Sequence, residues 1–154
     1  MSGCGTFLPP GERIEMSAFK AHGISLAKLT SEGVPAKPEL AELMTLIAAA
    51  KAAGVRIVAH NASLEAVRVL NHTAICQGVP SPSLSSASML CTMHNATRHC
   101  GLRKRGSKQF KAPCNVELFI FLFGRKPKVQ LNSALPDCRV TLASYIEGHK
   151  RKWW

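Results

Sequence analysis

The stretch PELAELMTLIAAAKAAGVRIVAH, residues 38–60, does most to limit what this chain can become. Residues 38–53 set Leu40, Leu43, Met44, Ile47 and Ala50 on one face at helical spacing. Pro38 suits a first helical turn, where a missing N–H costs nothing, and Gly54 suits the stop. VRIVAH at 55–60 follows at once. It is short, β-branched and mostly apolar, which predicts a buried strand. Residues 63–77 return to helical spacing through Leu64, Val67, Val69, Leu70 and Ile75.

The flanking segments extend the pattern. Residues 1–12, with a Pro-Pro pair, read as an irregular entry, and residues 13–19 as a short strand or a loop. KAHGIS turns around Gly23. Residues 25–33 predict a short helix with Ser25 as N-cap and Gly33 past its end. Residues 78–88 are a Pro/Ser-rich loop, and residues 89–97 a strand leading into a helix. Residues 101–114 are polar and basic, and residues 115–124 form a helix stopped by Gly124. A loop through 125–132 precedes a last helix over 133–150. The alternation points to α/β. The 154 residues suit one core, read as a domain over 1–148 and a basic, aromatic tail over 149–154.

An apolar content of 46% excludes an intrinsically disordered class. The formal charge of +11, from 20 Lys+Arg against 9 Asp+Glu, favours a polyanionic partner: nucleic acid, an anionic membrane surface or an acidic protein. The longest apolar stretches, Leu46–Ala50 and Val116–Phe123, fall well short of the roughly 20 residues that a bilayer span requires, so no membrane is expected. MSGCGTFLPPGERIE has no apolar signal core. The six cysteines are therefore expected as reduced thiols in an intracellular protein, cytoplasmic or nuclear rather than secreted.

Five segments, taken in order, resemble the DnaQ-like (RNase T, DEDDh) 3′→5′ exonuclease superfamily. FKAHGIS at 19–25 is similar to the family's "HGIT" turn. VRIVAHNASLEAVRVL at 55–70 resembles its second motif, a strand running into "AHNAxFD" and a helix. LCTMHNAT at 90–97 resembles "DTxxLA", and ELFIFLFG at 117–124 the helix "ELYxxLFG". NSALPDCRVTLASYI at 132–146 resembles the third motif, "HxAxxDxxxT". The likeness covers roughly residues 6–148. It implies an RNase H-like α/β exonuclease fold, incomplete here, because TFLPPGERIE matches the segment after the family's first strands and their D-x-E motif.

The resemblance also implies a chemistry: hydrolysis of a phosphodiester at the 3′ end of single-stranded DNA or RNA. In the family two Mg²⁺ or Mn²⁺ ions are held by four carboxylates, since hard cations take oxygen ligands, and a His acts as general base. Glu65 stands where the family usually has Asp, and Asp137 matches the third-motif acid; these two are the expected metal ligands and catalytic acids. Asn132 occupies the general-base position, and an amide takes up no proton near neutral pH. Positioned proton transfer is typically worth about 10²–10⁴ in rate. Weak metal binding and weak or absent cleavage are therefore expected. The alternatives are a non-catalytic nucleic-acid-binding module, or a fragment completed by another chain or by a second copy of itself.

Residues 103–111 carry Arg103, Lys104, Arg105, Lys108 and Lys111 around Phe110, and backbone phosphates would attract such a patch; a solvated loop is the plain alternative. His60 and Asn61 join the candidate nucleic-acid contacts through the second motif, with structural support as the alternative role. Cys91, His94, His99 and Cys100 are a ligand set zinc can take, although buried thiols and surface histidines account for them more simply. HKRKWW at 149–154 suits base stacking, membrane contact or a disordered end, the last being the usual state of a terminus.

Overall fold

Why the central stretch folds as it does is visible in a computed structural model, which describes residues 5–6, 14–82, 84–85, 88–129 and 133–154. The elements run β1 (Gly5–Thr6), α1 (Met16–His22), α2 (Leu26–Glu32), β2 (Gly33–Val34), α3 (Ala36–Ala52) and β3 (Ile57–Ala59). A π-wound segment (Ser63–Leu70) then continues into α4 (Asn71–Cys76). After it come β4 (Met89–Cys91), α5 (Thr92–Cys100), α6 (Asn115–Phe123) and α7 (Ala134–Lys150). The fold is mixed α/β with helix predominating. Its strands form two parallel pairs. β1 lies beside β2, and β3 beside β4 in the register Ile57↔Met89, Val58↔Leu90, Ala59↔Cys91.

Local signals set most boundaries. The Ser25 hydroxyl accepts a hydrogen bond from the Lys28 N–H at 3.1 Å and so caps α2. α3 begins two residues before Pro38, which keeps the ring inside the first turn. Gly124 ends α6 at φ 66°, a conformation with little cost only for glycine. Cys114 caps α6 reciprocally: its thiol takes the Glu117 N–H, while the Glu117 carboxylate takes the Cys114 N–H at 2.8 Å.

Several expectations are corrected. Within residues 13–19, where the sequence reads as strand or loop, the chain is helical from Met16, and the helix runs to His22. The run MSAFKAH has no β-branched residue, and Gly23 at φ 69° supplies the left-handed stop. The helix predicted over 63–77 starts with i→i+5 winding, which turns its apolar positions away from α spacing: Ala66 is buried, whereas Leu64 and Val69 are exposed. The third concerns the tail, which is ordered rather than disordered. Trp153 N–H donates to the Gly148 carbonyl at 3.0 Å and Trp154 Nε1 to the Tyr145 carbonyl at 3.2 Å. Gly148 makes room for this return, since a Cβ there would fall on the Trp154 ring.

Two apolar clusters hold the elements. Leu40 and Met44 of α3 meet Ala74 and Val79, with Ile47 and Leu70 beside them. Leu43, expected on the same face, is exposed, because α3 is covered along only one narrow stripe. The second cluster joins Ala96 and Cys100 of α5 to Leu118 and Leu122 of α6, under Leu102, Phe123, Trp153 and Trp154. α7 packs on it through Val140, Ser144 and Gly148, whose small side chains let the helices approach closely. VRIVAH is only half-buried as a strand, since its pair has no further strand among the described residues. No helix among the described residues is long and apolar enough to cross a membrane.

Candidate functional site

β3 and β4 run parallel, so both end at one edge of their pair. In open α/β sheets that carboxyl edge is where ligands bind, because the loops leaving the strands converge there. His60 follows β3 directly, and Thr92 follows β4. Asn61 turns the chain out of β3 in the left-handed region at φ 65°, a conformation Asn tolerates better than most residues. Its carbonyl accepts from the N–H groups of Leu64 and Glu65, each at 3.0 Å, and so opens the π-wound segment that carries Glu65. Such winding recurs at functional sites.

Hydrogen bonds tie this edge to α6 and α7. His60 Nε2 lies 3.1 Å from the Pro113 carbonyl, and Nδ1 lies 3.0 Å from the Thr92 hydroxyl. A carbonyl only accepts, so Nε2 carries the proton and Nδ1 accepts from Thr92. Two residues on, the Asn115 Nδ2 group donates to the Asp137 carbonyl and to the Thr141 hydroxyl, both at 3.2 Å. The Asn115 Oδ1 atom is buried and has no hydrogen-bond partner among the described residues. His60, the 113–115 segment and the first turn of α7 with Asp137 thus form one linked unit.

Burial holds the His60 pKa below its ordinary 6.5, and the bond to Pro113 opposes the shift only in part. The sign follows from linkage. The unfolded imidazole takes a proton near pH 6.5, and the folded one takes it only at lower pH. The stability contributed by neutral His60 is therefore complete above pH 6.5 and is lost as pH falls through the folded value. Thr92→Val should cost about 1–3 kcal/mol at pH 7.5, because it leaves Nδ1 without its donor beside a fully buried position. Thr92→Ser should cost less. Urea unfolding of both variants, and of His60→Gln across pH 5–8, checks the assignment: the Gln variant should lack the acid limb, and a limb unchanged in it would refute the role given to His60.

The basic loop is ordered by its own contacts. The backbone forms an antiparallel bridge between Arg103 and Phe110, with a turn closed by Ser107 N–H on the Lys104 carbonyl at 3.1 Å and Gly106 at φ 70°. Arg103 lies over the Phe110 ring, 4.5 Å from its centre, and donates to the Lys108 carbonyl. Lys104 reaches the Gln109 side chain at 3.3 Å. Lys111 pairs with Glu117 at 2.5 Å, and the Lys111 ammonium, helped by the Cys114 N–H, holds the Glu117 carboxyl below its usual range. Among the described residues the Arg105 and Lys108 side chains make no hydrogen bond or ion pair, so their charged heads face solvent.

The remaining expectations divide. His60 spends both ring nitrogens inside the fold, so its role is to tie the carboxyl edge together. Asn132 lies outside the described residues. Among those residues, no three His, Cys, Asp or Glu side chains gather to hold a metal. Glu65 and Asp137 alone are short of the donor set that a pair of Mg²⁺ or Mn²⁺ ions requires. Three of the four zinc-type residues at 91–100 are engaged otherwise. Cys91 Sγ accepts from the Ala62 N–H at 3.4 Å, His99 stacks flat on Trp153 with ring centres 4.4 Å apart, and burial raises the Cys100 pKa. The tail rings are spent on packing, and Arg151 pairs with Glu147 at 2.9 Å while donating to the Leu122 carbonyl. Thr92, Asn115 and Thr141 were missed, since nothing in their sequence neighbourhood marks a contact partner so far along the chain. Compared with known protein families, curated proteins and solved structures, the chain matches none.

Proposed function

We propose that this chain is an exonuclease-type domain that holds nucleic acid more readily than it cuts it. The fold proposed is the RNase H-like exonuclease layout, and the substrate class is single-stranded DNA or RNA at its 3′ end. One observation carries the binding half: a preformed loop of five cations leads into Pro113, whose carbonyl bonds His60 at the carboxyl edge of a parallel strand pair. Flexible cations lose side-chain entropy on binding, whereas a loop ordered by its own bonds has given up part of it already. The cutting half is impaired because Glu65 and Asp137 are the two acids that the resemblance supplies for Mg²⁺ or Mn²⁺, and Asn132 replaces the base.

A 3′-labelled single strand incubated with Mg²⁺ or Mn²⁺ tests both halves. The expected result is binding with at most slow shortening, and a log–log salt slope of about −2 to −3.5, for three to five phosphate contacts at about 0.7 each. Robust metal-dependent shortening that disappears in Asp137→Ala would overturn the impaired-catalysis claim. No binding at low salt would overturn the nucleic-acid claim.

A second reading, completion by another chain, is favoured by the outer face of α7. Leu135, Leu142 and Ile146 lie there 53%, 56% and 46% exposed, and the two parallel pairs keep open edges among the described residues. A cooperative thermal melt of the isolated chain would count against it.

A further inference from the structure

α4 continues the π-wound segment on the surface, and its last turn carries a soft-metal pair one turn apart. His72 and Cys76 are both exposed, and Cys76 Sγ lies 3.6 Å from His72 Nδ1 and 3.8 Å from Nε2. Zinc binds thiolate sulfur at about 2.3 Å and imidazole nitrogen at about 2.0–2.1 Å; at the tetrahedral angle those ligand atoms stand about 3.6 Å apart. The separation equals one edge of such a tetrahedron, but near-equal distances to both nitrogens set the sulfur over the ring face, off either lone pair, so the imidazole must turn before the two share a metal. A turn of the exposed imidazole about Cβ–Cγ points one nitrogen's lone pair at the shared metal position.

Two ligands are half of a closed zinc site, and among the described residues no third His, Cys, Asp or Glu side chain joins them. The surface beside the pair is open and apolar. Ile75, beside the pair, is 74% exposed, the highest among the large apolar side chains of the described residues, and Val69 is 55% exposed on the preceding turn. Apolar side chains this open around a metal half-site have a self-complementary use: a two-fold axis through the ion brings the same four residues of another molecule opposite. We propose that His72 and Cys76 form half of a zinc site that a second copy of this chain completes, with Ile75 and Val69 packing across the two-fold axis.

The chemistry balances simply. Each Cys76 thiol gives its proton to solvent, and the two thiolates and two neutral imidazoles replace water on one Zn²⁺, with no change of oxidation state. One zinc is taken per two chains, and binding tightens as pH rises because protons are released. The chain's charge of +11 opposes association, so the complex forms best where screening shortens the reach of that field, at about 0.15 M salt with a Debye length of about 8 Å.

The test uses the full chain, kept reduced by a phosphine that does not chelate, titrated with ZnCl₂ while its mass is read by light scattering. The expected mass doubles at one zinc per two chains and returns on adding a chelator. Cys76→Ser and His72→Ala should each stay monomeric at that zinc level with unchanged circular dichroism, and Ile75→Glu should weaken the dimer at least tenfold. Cobalt(II) in place of zinc should give the intense visible bands of a tetrahedral thiolate–imidazole site in the unaltered chain and lose them in Cys76→Ser. A mass that never rises, a doubling that survives Cys76→Ser, or a purely six-coordinate cobalt spectrum would each overturn the proposal.

Discussion

Replacing Arg105 and Lys108 together with Glu is expected to lower affinity for a single-stranded oligonucleotide by about a hundredfold at about 0.15 M salt. Each phosphate of a single strand that is no longer neutralised removes about 0.7 of slope in log K against log salt, which at that salt is about 0.6 in log K. Two such phosphates therefore account for about 1.2 log units. The two new carboxylates repel the same phosphates and add a comparable amount, while the slope flattens by about 1.4. These two cations are chosen because their neighbours are engaged: Arg103 holds Phe110, Lys104 holds Gln109 and Lys111 holds Glu117. Substituting those three would disturb the loop as well as its charge. The control is Lys37→Glu with Arg56→Glu, which alters net charge equally at two exposed positions outside residues 103–111. Fluorescence anisotropy across a salt series separates the cases. An equal loss in both variants would mean that net charge governs binding, and no loss in the loop variant would remove the loop from the interface.

What the sequence disclosed about this fold depended on the range of the interaction that carried it. Ser25, Gly124 and the α3 stripe of Leu40 and Met44 were legible because a cap, a left-handed stop and a helical period are each decided within a few residues. The strand–helix junction at Cys91–Thr92 was legible for the same reason. The links that assemble the candidate site act over much longer separations. His60 meets Thr92 across 32 residues and Pro113 across 53, and Asn115 meets Asp137 across 22. A side chain of the right type is common in any sequence, and only the packed chain selects its partner. The tail shows the same limit. Its Trp rings are free to stack on bases as far as the sequence tells, and only the fold brings Gly148 and His99 to receive them. The π winding of Ser63–Leu70 has no local signature at all, since the apolar spacing there fits an α-helix equally well.

Leu118→Ala is expected to cost about 3 kcal/mol of unfolding free energy, within the 2–5 kcal/mol range for a fully buried leucine, or a hundredfold or more in the folding equilibrium. Leu118 is 0% exposed at the meeting of α5 and α6, among Ala96, Cys100 and Leu122, with the tail rings over them. The truncation removes the transfer energy of the deleted methyls and leaves a cavity. The neighbours that could close it are small or fixed: Ala96 has nothing to extend, and Trp153 is held flat against His99. Leu142→Ala, the same chemistry at a position 56% exposed, should change stability by no more than about 0.5 kcal/mol. The chain's 2 Trp are both in the tail, so their fluorescence reports the tail alone, while far-ultraviolet circular dichroism reports the helices. If the tail is part of this core, both probes should move together to lower urea in Leu118→Ala. A tryptophan transition left in place while the helical one shifts would separate the tail from the cluster and undo the packing assigned to Trp153 and Trp154. A cost below about 1 kcal/mol would mean that α5 and α6 close over the gap, and that this cluster holds the helices together far less firmly than its burial requires.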